Sequence, residues 1–583
     1  MNTTLISTEK RKVFSGLKNL PTHVITCLIF ATVWATYLML HTFGYDVASQ
    51  SMEVGGWVSS DFTAHIHVSR SFSMGENWPP EYPLFPHVPA KYHYGFYAMV
   101  GLFEKMGMRI DWALNLPSIF GVVFFVLGVF LLAARLSGDI RVAWLALVFL
   151  IFNGTLSFLT ALKYDPTWSG TMQKIISARE FACFGPWSPC EVSACWNWNV
   201  LINQRHLALG LGAVIWMIYY LFHRENNNAN PSAKLNRRYL QDLLVGAGIG
   251  ILYSFHKPAL LLAGVYWVGL VILSPKLFKP LLVIAVGIAI TTAIQIIAAD
   301  SLSMSSIAAN QPSGAGIYWG YHAKRPFELI ETARYWILNL GFHAILIPLG
   351  FWVLPKSSRR FIYPIFAVFI MGNSYKFASD VGTNHKFFNL YVAVAQTLSA
   401  AFLINIWDYA SSMSKVKRVA MRSGIGIVIF FSTLSGYFDV FPVINTEKGL
   451  LKDYPKDPTM QWIIANTRPN STFLNDHYIF SAPSITGRRI VMPWPYFIMG
   501  IGYDIDERIR DVTTIIASAD PAVICPLLAK HKIDYVHLNE AQNDKNFPPA
   551  NLKGFKERYK PVFVNPENQD PIYATTDMCP VKS

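Results

Sequence analysis

The chain has 583 residues, of which 52% are hydrophobic, 14% aromatic and only 15% charged, a balance too apolar for an ordinary soluble protein of this length. Its formal charge of +13 does not signal a nucleic-acid partner, because the basic residues fall mainly in short connections between apolar runs. The composition describes a polytopic membrane protein.

In chain order, apolar runs near the roughly 17–25 residues that cross a bilayer core lie at 22–44, 113–134, 142–162, 205–222, 242–255, 258–273, 281–299, 335–354, 361–378, 389–407 and 424–442. They predict about eleven transmembrane helices, with the pair flanking His256 short. The first run is too long for a removable signal peptide and lacks a small-residue cleavage site. If the N-terminus, with Lys10, Arg11, Lys12 and Lys18, is cytoplasmic, every second connection should be basic. Arg135 and Arg141, Arg224 with Arg237 and Arg238, Lys276 and Lys279, Lys356 with Arg359 and Arg360, and Lys415 with Arg418 and Arg422 keep that alternation. The same parity excludes "YHYGFYAMVGLFEKMGM" (92–108) as a span, since counting it inverts every later loop. It predicts instead an amphipathic helix on the outer membrane face, within one extracytoplasmic loop covering 45–112.

The chain divides at about residue 442. Residues 1–442 form the membrane domain. Residues 443–583 alternate β-like runs ("STFLND", "RRIVMPW", "IDYVHLN") with helix-like ones ("DPTMQWIIANT", "PAVICPLLAKHK"), which predicts a small C-terminal α/β domain, placed outside by parity. Five of the six cysteines (Cys183, Cys190, Cys195, Cys525, Cys579) fall in segments predicted outside, where disulfides form, and Cys27 lies in a span. Cys183, Cys190 and Cys195 match no zinc spacing, so a loop-stapling disulfide with one odd thiol is expected there, with the pairing open.

The polar residues that matter sit on the outer side. In "SSDFTAHIHVSR" (59–70), Ser60 is placed to cap a helix starting at Asp61, with Asp61, His65 and Ser69 on one face. Helix-dipole stabilisation alone accounts for an acid in a first turn, but an acid held at a membrane face beside His65 is also placed to act as a general base on a hydroxyl. His93 in "KYHYG" lines the same region. Arg205 opens a span from the outside, and His256 with Lys257 sits in a break between two short apolar runs; membrane snorkelling is the plainer role for Arg205 and Lys257. Lys376, Asn384, His385 and Lys386 crowd the turn at 376–386, which also holds Asp380. Cations from several separate segments converge on one side, as a phosphate or diphosphate seat requires. No cofactor is demanded by these residues; a divalent metal on Asp61, His65 and His93 is the alternative, and it lacks a fourth ligand.

These features together resemble the N-terminal module of the GT-C superfamily. The acid of the first outer loop is followed by "PPEYPLFPHVPAKYHYGFYAMVGLFEKMG" and a span running from "LNLPSIFGVVFF" to "ARLSG". "INQRHLALGL", "GILYSFHKPALLLAG" and "TNHKFFNLY" are similar to later stretches of uncharacterised bacterial and archaeal members. The tail, with "TGRRIVMPWP" and "KHKIDYVHLNE", is similar to the extracytoplasmic domain many of them carry. The resemblance implies a glycosyltransferase using a polyprenyl-phosphate sugar, with Asp61 as catalytic residue and a glycan, lipid or protein acceptor. It also implies residence in a bacterial-type inner membrane. Many members show two adjacent acids where this chain has "SSDF", which weighs against a metal-dependent variant. Two rival classes are a transporter or flippase for a lipid-linked saccharide, which should show paired halves and broken helices, and a non-catalytic envelope assembly protein.

Overall fold

The computed structural model describes residues 21–580 apart from 57–58, 153, 182–197, 227–234, 300–313, 476–479, 493–494 and 539–549. Helix α1 (Thr22–Thr42) runs into a hairpin of β1 (Phe43–Asp46) and β2 (Ser51–Gly55), followed by α2 (Ser59–Ser73), α3 (Gly95–Lys105) and α4 (Ile110–Ser137). Later come α5 (Leu207–Asn226), α6 (Lys257–Leu273) and α7 (His385–Tyr409). The amphipathic helix expected within 92–108 is α3. Helix α2 begins two residues before Asp61, so Ser60 lies within it and not ahead of it.

Five described helices are long and apolar enough to cross a membrane: Thr22–Thr42, Ile110–Ser137, Leu207–Asn226, Pro275–Ala298 and Val381–Ser412. Two pairs, Leu329–Leu340 with His343–Val353 and Lys415–Phe431 with Leu434–Ile444, qualify only together and bend by 83° and 45°. The runs expected at 142–162, 242–255, 258–273 and 361–378 fold as Ile140–Ile151, Leu235–Gly250, Lys257–Leu273 and Lys356–Ser374, which are shorter or more polar. Helix α4 packs along both α1 and α5.

The tail begins by joining the hairpin that follows α1. Strand β3 (Lys448–Lys452) adds to the hairpin antiparallel to β2, with Ser51 opposite Lys452 and Gly55 opposite Lys448. Beyond it lie β4 (Thr472–Asn475), β5 (Arg489–Ile490), β6 (Tyr535–His537), β7 (Phe563–Val564) and β8 (Pro571–Ala574), which form a sheet of order β5-β4-β6-β8-β7. Strand β4 is parallel to both β5 and β6, whereas β8 is antiparallel to β6 and β7. All four residues of β4 are buried, as expected for a strand covered on both faces. Cys525 and Cys579 form a disulfide, and Cys27 is a buried free thiol. Cys183, Cys190 and Cys195 lie outside the described residues.

Helix α2 is gripped from two sides, and two glycines permit the grip. A Cβ on Gly101 of α3 would collide with the Ser69 carbonyl, and one on Gly487 of the tail with the Arg70 carbonyl. Gly487 also sits at φ +70°, a left-handed conformation that disfavours any side chain. The helix bearing Asp61 therefore lies in direct backbone contact with both neighbours.

Candidate functional site

Asp61 stands in the first turn of α2, half-buried, and Gln204 donates from Nε2 to its Oδ2 at 2.5 Å. The protein packed around the carboxyl pushes its pKa up to about 7; the Gln204 hydrogen bond and the Lys386 charge work in the opposite direction. Burial dominates because a carboxylate loses more hydration than one amide and one distant ammonium restore. The phenols of Tyr82, Tyr92 and Tyr97 are close enough to feel the Asp61 charge. The group is poised to hold or release a proton near neutral pH.

One turn further on, His65 packs against Tyr97 at 5.2 Å and His206 at 6.0 Å between ring centroids. It borders a cluster of three buried imidazoles: His93 from the connection before α3, His206 at the mouth of α5, and His256 at the start of α6. Their centroids are 4.3 Å (His93 to His206), 5.1 Å (His93 to His256) and 5.2 Å (His206 to His256) apart. Nε2 of all three, and Nδ1 of His65, have no hydrogen-bond partner among the described residues. Four such atoms in one place are unusual, since buried polar groups are nearly always satisfied. Burial, reinforced by Arg205, lowers the His65 pKa to about 3. Burial also holds His93 well below its ordinary value, helped by His256, Lys386, Lys257 and His65. Both rings are neutral at physiological pH.

His256 Nδ1 accepts the Ala259 N–H at 3.1 Å and so caps α6. A neutral imidazole has one N–H and one lone pair, so the proton of His256 is on the unpartnered Nε2. His206 Nδ1 pairs with the Tyr97 hydroxyl at 3.0 Å. Two ammonium groups border the cluster. Lys386, in the first turn of α7, donates to the Thr383 carbonyl at 3.3 Å and to His385 Nε2 at 3.1 Å, and its charge reaches Asp61 and Asp380. Lys257 donates to the Lys91 carbonyl at 2.8 Å and lies over the Tyr253 ring.

Other expected site residues are turned to the fold. Arg205 donates to Asn115 Oδ1 at 3.0 Å and Thr42 Oγ1 at 2.8 Å, contacts the Met39 sulfur and stacks on Phe62. It ties α5 to α1 and α4, which leaves it a poor phosphate ligand. Asn384 donates to the Gly372 and Tyr375 carbonyls and closes its turn. His385 is buried with Nδ1 on Asn389 at 2.7 Å. Lys376 lies in a two-residue strand opposite Gly316, and no described contact brings it to Asp61. The sequence reading passed over Gln204 and His206, the neighbours of Arg205 in "NQRH". Four consecutive polar residues at a helix mouth carry no periodicity to show which of them turns inward.

Asp61, His65 and His93 do not assemble as a metal-ligand set. Among the described residues the group able to surround an ion is His93, His206 and His256, with ligand nitrogens within 4.8 Å of one another. His256 carries its proton on Nε2, and ligation there requires it to give up the helix cap. With the cap kept, His256 presents an N–H and not a lone pair to the group. A polar ligand accepting N–H hydrogen bonds fits it better.

No protein-family model and no curated protein matches the sequence; similarity appears in three dimensions. The structure of ArnT from Cupriavidus metallidurans bound to undecaprenyl phosphate superposes with a TM-score of 0.50, over 97% of this chain and 100% of that one, at 11% identity. The Archaeoglobus fulgidus oligosaccharyltransferase tethered to an acceptor peptide with the NVT sequon gives a TM-score of 0.50, over 96% of this chain and 75% of that one, at 12% identity. At such identities the likeness is one of fold. The chain shares the fold of these two proteins, and its five long apolar helices make it a membrane protein.

Proposed function

We propose that the protein is an integral membrane glycosyltransferase that moves a sugar from a polyprenyl-phosphate donor to an extracytoplasmic acceptor. The observation that carries this reading is the packed Asp61 carboxyl, with a pKa of about 7, at the edge of a buried, cation-flanked cluster of unpartnered imidazole nitrogens. The acceptor hydroxyl gives its proton to Asp61, and its oxygen attacks the anomeric carbon. The bond from that carbon to the phosphate oxygen breaks, and the phosphate leaves with the electron pair. Lys386, Lys257 and the Nε2–H of His256 meet the departing charge, with His93 and His206 beside them. One base suffices for this inverting displacement, whereas a glycosidase needs a second positioned carboxyl.

The fold relatives support the donor class, since one is described bound to undecaprenyl phosphate and another tethered to an acceptor peptide. In this reading the membrane domain (1–442) has about eleven spans and a cytoplasmic N-terminus. The C-terminal α/β domain (443–583) faces outward in a bacterial-type inner membrane. The acceptor is a glycan, lipid or protein.

The test is transfer of radiolabelled sugar from a panel of polyprenyl-phosphate donors in membranes holding wild type or Asp61→Asn at matched levels. Label reaching acceptor only with wild type is expected. A flippase reading draws on the helix break at His256, between Leu252–Phe255 and α6; it predicts saccharide movement across vesicles that Asp61→Asn leaves intact.

A further inference from the structure

Arg70 lies about two and a half turns along α2 from Asp61, is 1% exposed, and is the most fully paired charge near the site. Its Nη1 and Nη2 donate to Asp453 Oδ1 and Oδ2 at 2.6 and 2.9 Å. Its Nε donates to Glu104 of α3 at 3.0 Å, and Nη1 also reaches the Ile485 carbonyl at 3.1 Å. Glu104 in turn accepts from Ser73 Oγ at 2.6 Å, and His67 Nε2 donates to the Arg488 carbonyl at 2.6 Å. One guanidinium thus joins the base-bearing helix, its neighbour α3 and two segments of the tail.

Asp453 is placed by the sheet. It follows directly on β3, whose register against β2 puts Lys452 opposite Ser51, and its own N–H continues the pairing to the Gln50 carbonyl at 3.2 Å. A planar, two-pronged guanidinium–carboxylate pair transmits orientation as well as charge, which a single ammonium contact does not. Backbone contact of Gly101 and Gly487 with α2 removes the slack that would let the helix roll.

We propose that Arg70 is a positioning residue through which strand β3 and the tail set the Asp61 carboxyl against Gln204 and the imidazole cluster. The role rests on the reading of Asp61 as the base. It makes the tail part of the catalytic geometry, whatever else the tail binds.

The test uses full-length protein in detergent and the double variant Arg70→Met with Asp453→Leu, because replacing both members of the two-pronged pair leaves one carboxyl, Glu104, without its guanidinium, where truncating Arg70 alone leaves two. Asp61 is titrated directly, by pH-dependent carbodiimide and amine labelling read on its peptide by mass spectrometry, and kcat and KM are measured in parallel. Gln204, Lys386 and the phenols of Tyr82, Tyr92 and Tyr97 are the polar and charged groups facing that carboxyl. The expected result is a labelling midpoint that falls from near 7 toward the ordinary carboxylate range, with kcat down roughly tenfold or more and KM little changed. Arg70→Lys, which keeps charge without the fork, should move the midpoint the same way by less. A double variant with wild-type midpoint and kcat overturns the proposal, even if its melting temperature has dropped. If Asp61→Asn transfers normally while the double variant's midpoint shifts, the reading of Asp61 as base fails and the positioning of its carboxyl stands.

Discussion

Two buried polar clusters flank α2, and they are opposites. On the tail side, Arg70 has two carboxylates and a carbonyl around it, and each short distance ends on a protein atom. On the membrane side, the Nε2 atoms of His93, His206 and His256 find no partner among the described residues. A protein that satisfies one buried cluster so fully, within about four helical turns of another it leaves open, has not run short of partners. Satisfied groups hold structure, and buried polar atoms left open call for a reason other than structure.

That contrast breaks or sharpens under four measurements. The largest effect is expected for Asp61→Asn, with transfer down by about 10²–10⁴-fold, the usual weight of a general base, and an unchanged melting curve; an equal loss of folded protein would move Asp61 to the structural side. Next is Arg70→Ala, which strands Asp453 and Glu104 and should cost about 3–5 kcal/mol of stability, read by thermal unfolding in detergent. His256→Asn keeps an N-cap acceptor for Ala259 but removes the open N–H. The melting temperature should hold while KM for the donor rises about tenfold, the order of a lost hydrogen bond to a charged group.

The smallest effect is expected for Lys386→Met. Its ammonium favours the ionised carboxyl of Asp61, so removal should move the acid limb of the pH–rate profile upward from about 7. Part of the rate lost at neutral pH is then regained on raising the pH, and the part not regained is the share of the departing phosphate's charge that Lys386 meets. A profile that stays in place would mean that Lys386 does not face the base.

Much of the candidate cluster was legible residue by residue, and the residues placed elsewhere share a cause. Asp61, His65, His93, His256, Lys257 and Lys386 were named because ionisable groups at a membrane face are costly and therefore conspicuous. Arg205 was conspicuous for the same reason, yet it spends its donors on Asn115 and Thr42. Cost marks a buried charge without saying whether protein or ligand compensates it. Gln204 and His206 were missed because at the mouth of a helix one residue's rotation decides what faces the cavity.

Composition and the lengths of the apolar runs determined from sequence alone that the chain is a membrane protein, since hydropathy acts locally and adds along the chain. Only the tertiary structure decided that His206 completes the imidazole cluster, that the proton of His256 lies on Nε2, and that Arg70 meets Asp453 across 383 residues of chain. Those outcomes depend on strand register, helix rotation and one hydrogen bond between distant segments, and a linear pattern carries no record of which distant segment arrives.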